Sequence, residues 1–225
     1  MEDKAKLSKS KAFIVPAIIA TVMALVLFLP AGSLRYRAGW LWWSVTSAMI
    51  VFTTIYFLKK DPGLLARRMK VKEKEPQPVF VRVLSILLML SFLIPGFDYR
   101  LHWSAVPGWI IIIANTAVFL GFAFIFLVFK ENSYASTIVQ VEKEQKVITS
   151  GPYAIVRHPM YAALLLINLF TPLALGSYWM FIYFFISISL NLSRIKKEEA
   201  MLLRELPGYA EYCKKTRYRL IPLIW

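Results

Sequence analysis

Acidic residues, histidine and cysteine are scarce in this chain: 13 Asp and Glu stand against 27 Lys and Arg, with two histidines and one cysteine. The single cysteine, Cys213, excludes an intramolecular disulfide framework and any multi-cysteine metal site. His102 and His158 would need carboxylates at ligand spacing to build a metal centre, and none assembles, so no metal is expected. Charge of either sign is missing from several long runs. The 58% hydrophobic content exceeds the roughly 45 to 50% of ordinary soluble domains and reads as a membrane protein. A chain of 225 residues suits one compact bundle of spanning helices and leaves no room for a second soluble domain of ordinary size. The net charge of +14 raises nucleic acid as a partner, but the basic residues fall between apolar segments rather than on a recognisable nucleic-acid motif. Topology and anionic lipid account for them, and no nucleic-acid partner is expected.

The apolar segments set the expected fold, an all-α integral membrane protein of about six transmembrane helices. After a lysine-rich start (Lys4, Lys6, Lys9, Lys11), the run from Ala12 to about Ala31 is long enough to span at roughly 20 residues, and too long for the core of a cleaved signal peptide. A second span runs from Trp40 to Leu58 and opens with Trp40, Trp42 and Trp43, expected in an interfacial belt. Asp61-Pro62-Gly63 stops it, and a basic surface loop to Pro78 follows, with a short amphipathic helix at LLARRM. The third span is expected from Val79 to Pro95-Gly96. A turn around Asp98, Arg100, His102 and Trp103 comes next, then a fourth span from Pro107-Gly108 to about Phe129. Residues 130–158 make the longest polar connection, with an alternating stretch from Thr137 to Glu142 that could be extended. The apolar region from Pro159 to about Leu192 is too long for one span, and Pro172 and Gly176 interrupt it, which predicts a hairpin of two short helices.

Six spans put the N-terminus, the 59–78 loop, the 130–158 loop and the C-terminal tail on one side, leaving only Arg35, Arg37 and Arg100 on the other. By the positive-inside rule the crowded side is the cytoplasm. The chain is expected to be a single membrane domain over 1–225, with N-terminal helices in 1–130 and the chemistry in 131–225. Two pairs of residues flank the last hairpin. Pro159 suits the first position of a helix, which puts His158 at its entrance and Tyr161 on the same face. Arg194 and Glu198 lie four apart on the continuing helix, so they too share a face. Taken singly, His158 reads equally well as a cap, and Glu198 and Glu199 as a solvated face beside Arg194, Lys196 and Lys197. Tyr209, Tyr212, Tyr218 and Trp225 read as interface anchors for a tail lying on the membrane.

The ordered set GPY, RHPxY, an apolar hairpin, RxxxEE and PGYxEY, over roughly residues 138 to 225, resembles the C-terminal region of the isoprenylcysteine carboxyl methyltransferase family, whose relatives include the phospholipid N-methyltransferases. The resemblance implies methyl transfer from S-adenosylmethionine, held on the cytoplasmic side by the hairpin, the preceding loop and the tail. It implies that Gln140, Gln145, Lys146, Val147, Ile148, Tyr153, His158, Pro159, Met160, Tyr161 and Glu198 hold the cofactor, and that Arg194 meets the substrate carboxylate. A carboxylate acceptor is already a nucleophile near neutral pH and needs no general base. Arg194 can hold it in a fork, Glu198 can accept from the cofactor's ammonium or ribose, and backbone N–H groups near His158 are expected to be available to the cofactor. An amine acceptor would need a proton acceptor, Glu199 or His158. Hence Arg194, Glu198, Glu199 and His158 are the candidate catalytic residues.

The expected acceptor is a lipophilic small molecule or a prenylated compound reached from the lipid bilayer, most simply the carboxylate of an isoprenylcysteine-like substrate. The alternatives are phospholipid amine N-methylation, an NADPH-dependent sterol-type reduction, and a non-enzymatic membrane scaffold or transporter. A transporter would more often carry ionisable groups at mid-membrane depth, where these spans have almost none. Topology can be checked directly: cysteines introduced in the 59–78 loop and in the tail should both be shielded from an impermeant thiol reagent in intact cells, and labelling of the tail alone overturns six spans.

Overall fold

A computed structural model describes residues 9–69, 79–136, 140–141 and 145–225, with side chains from residue 13 onward. Its elements are α1 (Lys9–Ala31), α2 (Arg37–Lys60), α3 (Pro62–Arg68), α4 (Val79–Leu90), α5 (Ile94–Leu101), α6 (Gly108–Glu131), α7 (Pro159–Ala174), α8 (Phe181–Glu205) and α9 (Tyr209–Lys215), with 3-10 turns at Ser91–Leu93 and Gly151–Ala154. No strand occurs among the described residues. The alternating stretch from Thr137 to Glu142 falls mostly outside them, as do the loop residues 70–78.

Four stretches are long and apolar enough to cross a membrane: Phe13–Ala31, Arg37–Lys60, Val79–Leu101 and Gly108–Glu131. Their uncovered side chains are themselves apolar, among them Ile18, Leu29, Phe80, Met89, Ile112 and Leu120. A helix satisfies its backbone internally, so such faces can meet lipid without leaving polar groups unpaired. α7 is a shorter apolar helix. α8 is apolar at its start and charged from Arg194 onward.

The third stretch corrects the expected stop at Pro95-Gly96. The chain passes through the 3-10 turn at Ser91–Leu93, and Pro95 then occupies the first turn of α5, where its missing N–H costs nothing. Gly96 is where α5 meets α1 most closely, since a Cβ there would lie 2.5 Å from the Leu27 carbonyl oxygen. Asp98, expected in an exposed turn, is instead buried in α5. It accepts from the Ser104 N–H and hydroxyl, both at 2.7 Å, and from the Ser177 hydroxyl. A buried carboxylate needs such donors, and these join α5 to the α7–α8 connection. His102 ends α5 in a left-handed conformation, φ 55°, and is exposed.

The principal core gathers Leu27 of α1, Trp42 of α2, Ala114 and Val118 of α6, and Ile167 and Ala174 of α7. Trp42 is therefore buried rather than part of an interfacial belt, while Trp40 and Trp43 donate their indole N–H groups to Leu34 and Ala20 carbonyls. α6 and α7 pack through small residues: a Cβ on Gly121 would come within 2.5 Å of Ile167 Cγ1, and Ala163 is fully covered. Pro172 does not break the C-terminal apolar region, because it sits inside the end of α7. The break falls after Leu175, where Gly176 adopts φ 70° and the chain turns into α8.

Gly96→Ala should destabilise the detergent-solubilised protein by about 1 to 3 kcal/mol, because the clash is with backbone and cannot be relieved by a rotamer change. Gly108, with nothing within 4 Å of its added Cβ, is the control, and Gly108→Ala should leave the melting temperature nearly unchanged. Equal melting of both variants would contradict the close α1–α5 approach.

Candidate functional site

Three separated stretches converge where α7 begins and α8 becomes charged. Pro159 opens α7, so His158 is its N-cap, and both it and Pro159 are buried. The tail runs alongside: the Arg157 N–H donates to the Tyr218 carbonyl and the His158 N–H to the Arg219 carbonyl, each at 2.9 Å. Of the backbone N–H groups near His158, these two are consequently already used within the chain.

Glu199 fastens this arrangement. It is buried, and its Oε1 lies 3.0 Å from Arg157 Nη1 and 3.3 Å from His158 Nε2, while Arg219 Nε donates to its Oε2 at 2.7 Å. Burial alone would raise its pKa, but His158, Arg157 and Arg219 outweigh that and hold it below the ordinary carboxylate range. Arg157 also donates to Cys213 Sγ at 3.2 Å and to the Arg217 carbonyl at 3.3 Å. One carboxylate thus joins α8, the start of α7 and the tail.

Next to this network, with Arg157 and His158 in its wall, lies a cavity enclosing, with its open mouth, about 830 Å³. Gln140, Gln145, Lys146, Val147, Ile148, Tyr153, His158, Pro159, Met160, Tyr161, Arg194 and Glu198 all line it, so the structure brings together every residue expected at the cofactor and acceptor positions. Glu199 does not line it. Glu198 faces inward and accepts from the Tyr161 hydroxyl at 2.8 Å. Tyr153, in the 3-10 turn Gly151–Ala154, receives a 2.8 Å bond on its hydroxyl from Asn132 Nδ2, and its carbonyl accepts from the Tyr212 hydroxyl at 2.7 Å. Burial raises the Tyr153 phenol well above its ordinary value and pushes that of Tyr212 up to about 12, with the Thr216 bond opposing it. Both therefore stay neutral hydrogen-bonding groups near neutral pH.

The sequence reading missed part of this wall. Tyr209 and Tyr212 are not membrane anchors: α9 starts after Gly208, at φ 84°, and turns both rings onto Leu202 and Leu206, where they are buried and line the cavity. The GY pair after Pro207 held the signal for that turn. Asn132, Ser136 and Arg157 were also missed, and only the length of the 130–158 loop pointed to them. No group of three His, Cys, Asp or Glu residues suited to a metal ion occurs among the described residues.

The chemistry of the cavity lining suits S-adenosylmethionine. Its wall offers a carboxylate for an ammonium or ribose, amides and phenols for polar edges, and Val147, Ile148, Met201, Leu202 and Leu206 for a flat apolar ring. Residues 110–204 match the model of the isoprenylcysteine carboxyl methyltransferase (ICMT) family. The solved structure of a eukaryotic intramembrane Ras methyltransferase, ICMT (isoprenylcysteine carboxyl methyltransferase), without a monobody, is similar over 95% of this chain and 77% of its own, with a TM-score of 0.58 and 20% identity. Comparison with curated proteins gives no match. At that identity the structural likeness establishes the fold, and the family match covers α6 to the charged part of α8. Together they define a multi-pass helical membrane protein of the methyltransferase class. Residues 110–204, somewhat less than half of the chain, are thus similar to the isoprenylcysteine carboxyl methyltransferase family.

The Glu199 network carries a pH signature. Because its folded pKa is depressed, its stabilisation is present above the unfolded value of about 4.3 and is lost as pH falls through the lower folded value. In melting scans from pH 7 to pH 3, Glu199→Gln should melt well below the wild type at pH 7, and the gap should close toward pH 3. A gap independent of pH would count against a charged Glu199 as the fastener.

Proposed function

We propose that the protein transfers a methyl group from S-adenosylmethionine to the carboxylate of a lipophilic, isoprenylcysteine-like acceptor, at a site facing the cytoplasm. The observation that carries this reading is the shared cavity: Gln140, residues 145–148, Tyr153, residues 157–161, Arg194 and Glu198 line one space with donors, acceptors and apolar surface suited to the cofactor and a carboxylate. The basic loops bracketing it support the cytoplasmic orientation. In the six-span reading, α7 and the apolar part of α8 are the short hairpin that brings both flanks of the cavity to that face.

When bound, S-adenosylmethionine supplies an electrophilic methyl on a sulfonium, so an acceptor carboxylate oxygen can bond to that carbon as the carbon–sulfur bond breaks and its electron pair stays on sulfur. No proton moves, and the residues act by position. Arg194 holds the acceptor carboxylate in a fork and limits its angle of approach. Glu198, oriented by Tyr161, takes the donor's ammonium or ribose hydroxyls. Tyr153, Val147, Ile148 and Leu206 close around the donor, and excluding water strengthens each of these polar contacts.

Methylation of a phospholipid amine would require a base. Glu199 is a poor one, being held by Arg157, His158 and Arg219 with a depressed pKa. That geometry favours the carboxylate acceptor over the amine.

Binding of S-adenosylhomocysteine, with NADPH as a control, tests the donor half, and turnover of a prenylcysteine acid tests the acceptor half. Arg194→Ala should leave S-adenosylhomocysteine affinity within a few fold yet cut turnover by roughly ten- to more than a hundredfold, the equivalent of a charge-assisted bond of about 1.5 to 3 kcal/mol. Glu198→Gln should weaken S-adenosylhomocysteine first. Unchanged binding by Glu198→Gln removes Glu198 from the donor site, and preferential binding of NADPH by the wild type removes the methyltransferase reading.

A further inference from the structure

α3 lies outside the matched residues 110–204, yet it is fixed firmly against the site. Asp61 Oδ1 accepts from the Leu64 N–H at 2.9 Å and Pro62 occupies the first turn, so the short helix is capped at its start. Leu64 is fully covered and packs with Phe57 of α2 and Phe129 of α6. At the other end, Arg67 Nε donates to the Ser133 carbonyl at 2.7 Å, and Arg68 Nη1 to the Ser136 carbonyl at 3.2 Å. The Arg68 guanidinium lies 5.1 Å from the Phe129 ring centroid, and its Nη1 is 3.7 Å from Met160 Sδ. Ser136 and Met160 are cavity wall, next to Tyr161 and Arg194.

We propose that Arg68 is an acceptor-binding residue, which with Arg194 forms a two-guanidinium station for the acceptor's carboxylate. This rests on the carboxyl methyltransferase reading above. Arg68 reaches the station from α3, with Nη1 3.7 Å from Met160 Sδ, and Arg194 from α8, where it lines the cavity together with Met160 and Tyr161. Partial burial lowers the pKa of Arg68, and the positive charge of Arg194 lowers it further, as expected of two cations close enough to repel. An anion shared by both guanidiniums relieves that repulsion, and a carboxylate has an oxygen for each. The methylated ester carries no charge and loses this stabilisation, so the same pair distinguishes substrate from product. Its location also suits an apolar tail: α2 and α6, on which α3 rests, expose Phe52, Ile55 and Leu127, so a lipophilic chain can lie along them with its head at Arg68.

Equilibrium binding of N-acetyl-S-farnesylcysteine, as the free acid and as its carboxamide, to the full-length detergent-solubilised protein tests the proposal, with S-adenosylhomocysteine measured in parallel. Wild type should bind the acid about tenfold or more tightly than the carboxamide. Arg68→Gln should lose that preference through weaker acid binding, with carboxamide affinity unchanged and S-adenosylhomocysteine affinity within about threefold. Arg68→Lys should recover part of it, since it restores the charge without the fork. An unchanged acid preference in Arg68→Gln overturns the proposal and leaves the function standing. Parallel loss of acid, carboxamide and S-adenosylhomocysteine binding also overturns it, because Arg68 would then only hold α3 to the loop. A wild type with no preference for the acid removes the carboxylate reading and the proposal with it.

Discussion

Glu199 carries a negative charge to a place where little water can reach it, and the chain around it is shaped by the need to balance that charge. Arg157 arrives from the turn before α7, Arg219 from the tail, and His158 from the N-cap of α7 itself. A buried ion pair is weak evidence for net stability, since desolvation offsets much of the attraction. Its value lies in specificity. Each partner removed leaves the buried charge less well balanced, so the register between the tail and the start of α7 is set closely, and the backbone bonds from Arg157 and His158 to Tyr218 and Arg219 follow that register. The tail and α9 are then held against α8, with Tyr209 and Tyr212 turned into the cavity wall.

The helices beneath make that placement rigid. α6 and α7 approach through Gly121 and Ala163, and close backbone packing of this kind is how helices associate firmly where lipid is no worse a solvent for apolar side chains than protein is. At the far end, Asp98 holds Ser104 and Ser177, so the α7–α8 connection is tied to α5. α7 is thus fixed at both ends by a buried carboxylate, Asp98 near its C-terminus and Glu199 near its N-terminus. The intervening turns carry Met160 and Tyr161 at the cavity wall.

What the sequence made legible divides along physical lines. Long apolar runs announce spans because the bilayer demands length and composition, and all four runs that meet the demand occur in the structure. The clustered motifs of residues 140–198 announced the cavity because its wall is local: two short stretches and one helix face supply most of it. Burial of single polar or amphipathic residues was not legible. Trp42 and Tyr212 look like interfacial anchors because tryptophan and tyrosine serve both in a belt and in a core, and only tertiary contacts decide between them. Pro95-Gly96 misleads for a related reason, since proline marks a helix start as readily as a stop and the preceding 3-10 turn is invisible in the pattern.

In the proposed methyltransferase site, the same division separates the donor side from the acceptor side. The expected donor residues lie within Gln140 to Glu198, close enough along the chain for one ordered set of motifs to describe them. The acceptor side draws on α3, whose Arg68 meets Ser136 and Met160 across 68 and 92 residues of sequence. Contacts of that range depend on how α2 and α6 cross, and the crossing depends on Phe57, Leu64 and Phe129 rather than on any charged signature. A sequence pattern confined to the C-terminal region can therefore report the chemistry while leaving the acceptor undescribed. Acceptor choice then belongs to the helices that precede the motifs, where apolar surface and a few interfacial arginines can vary without disturbing the cavity that α7, α8 and the tail enclose.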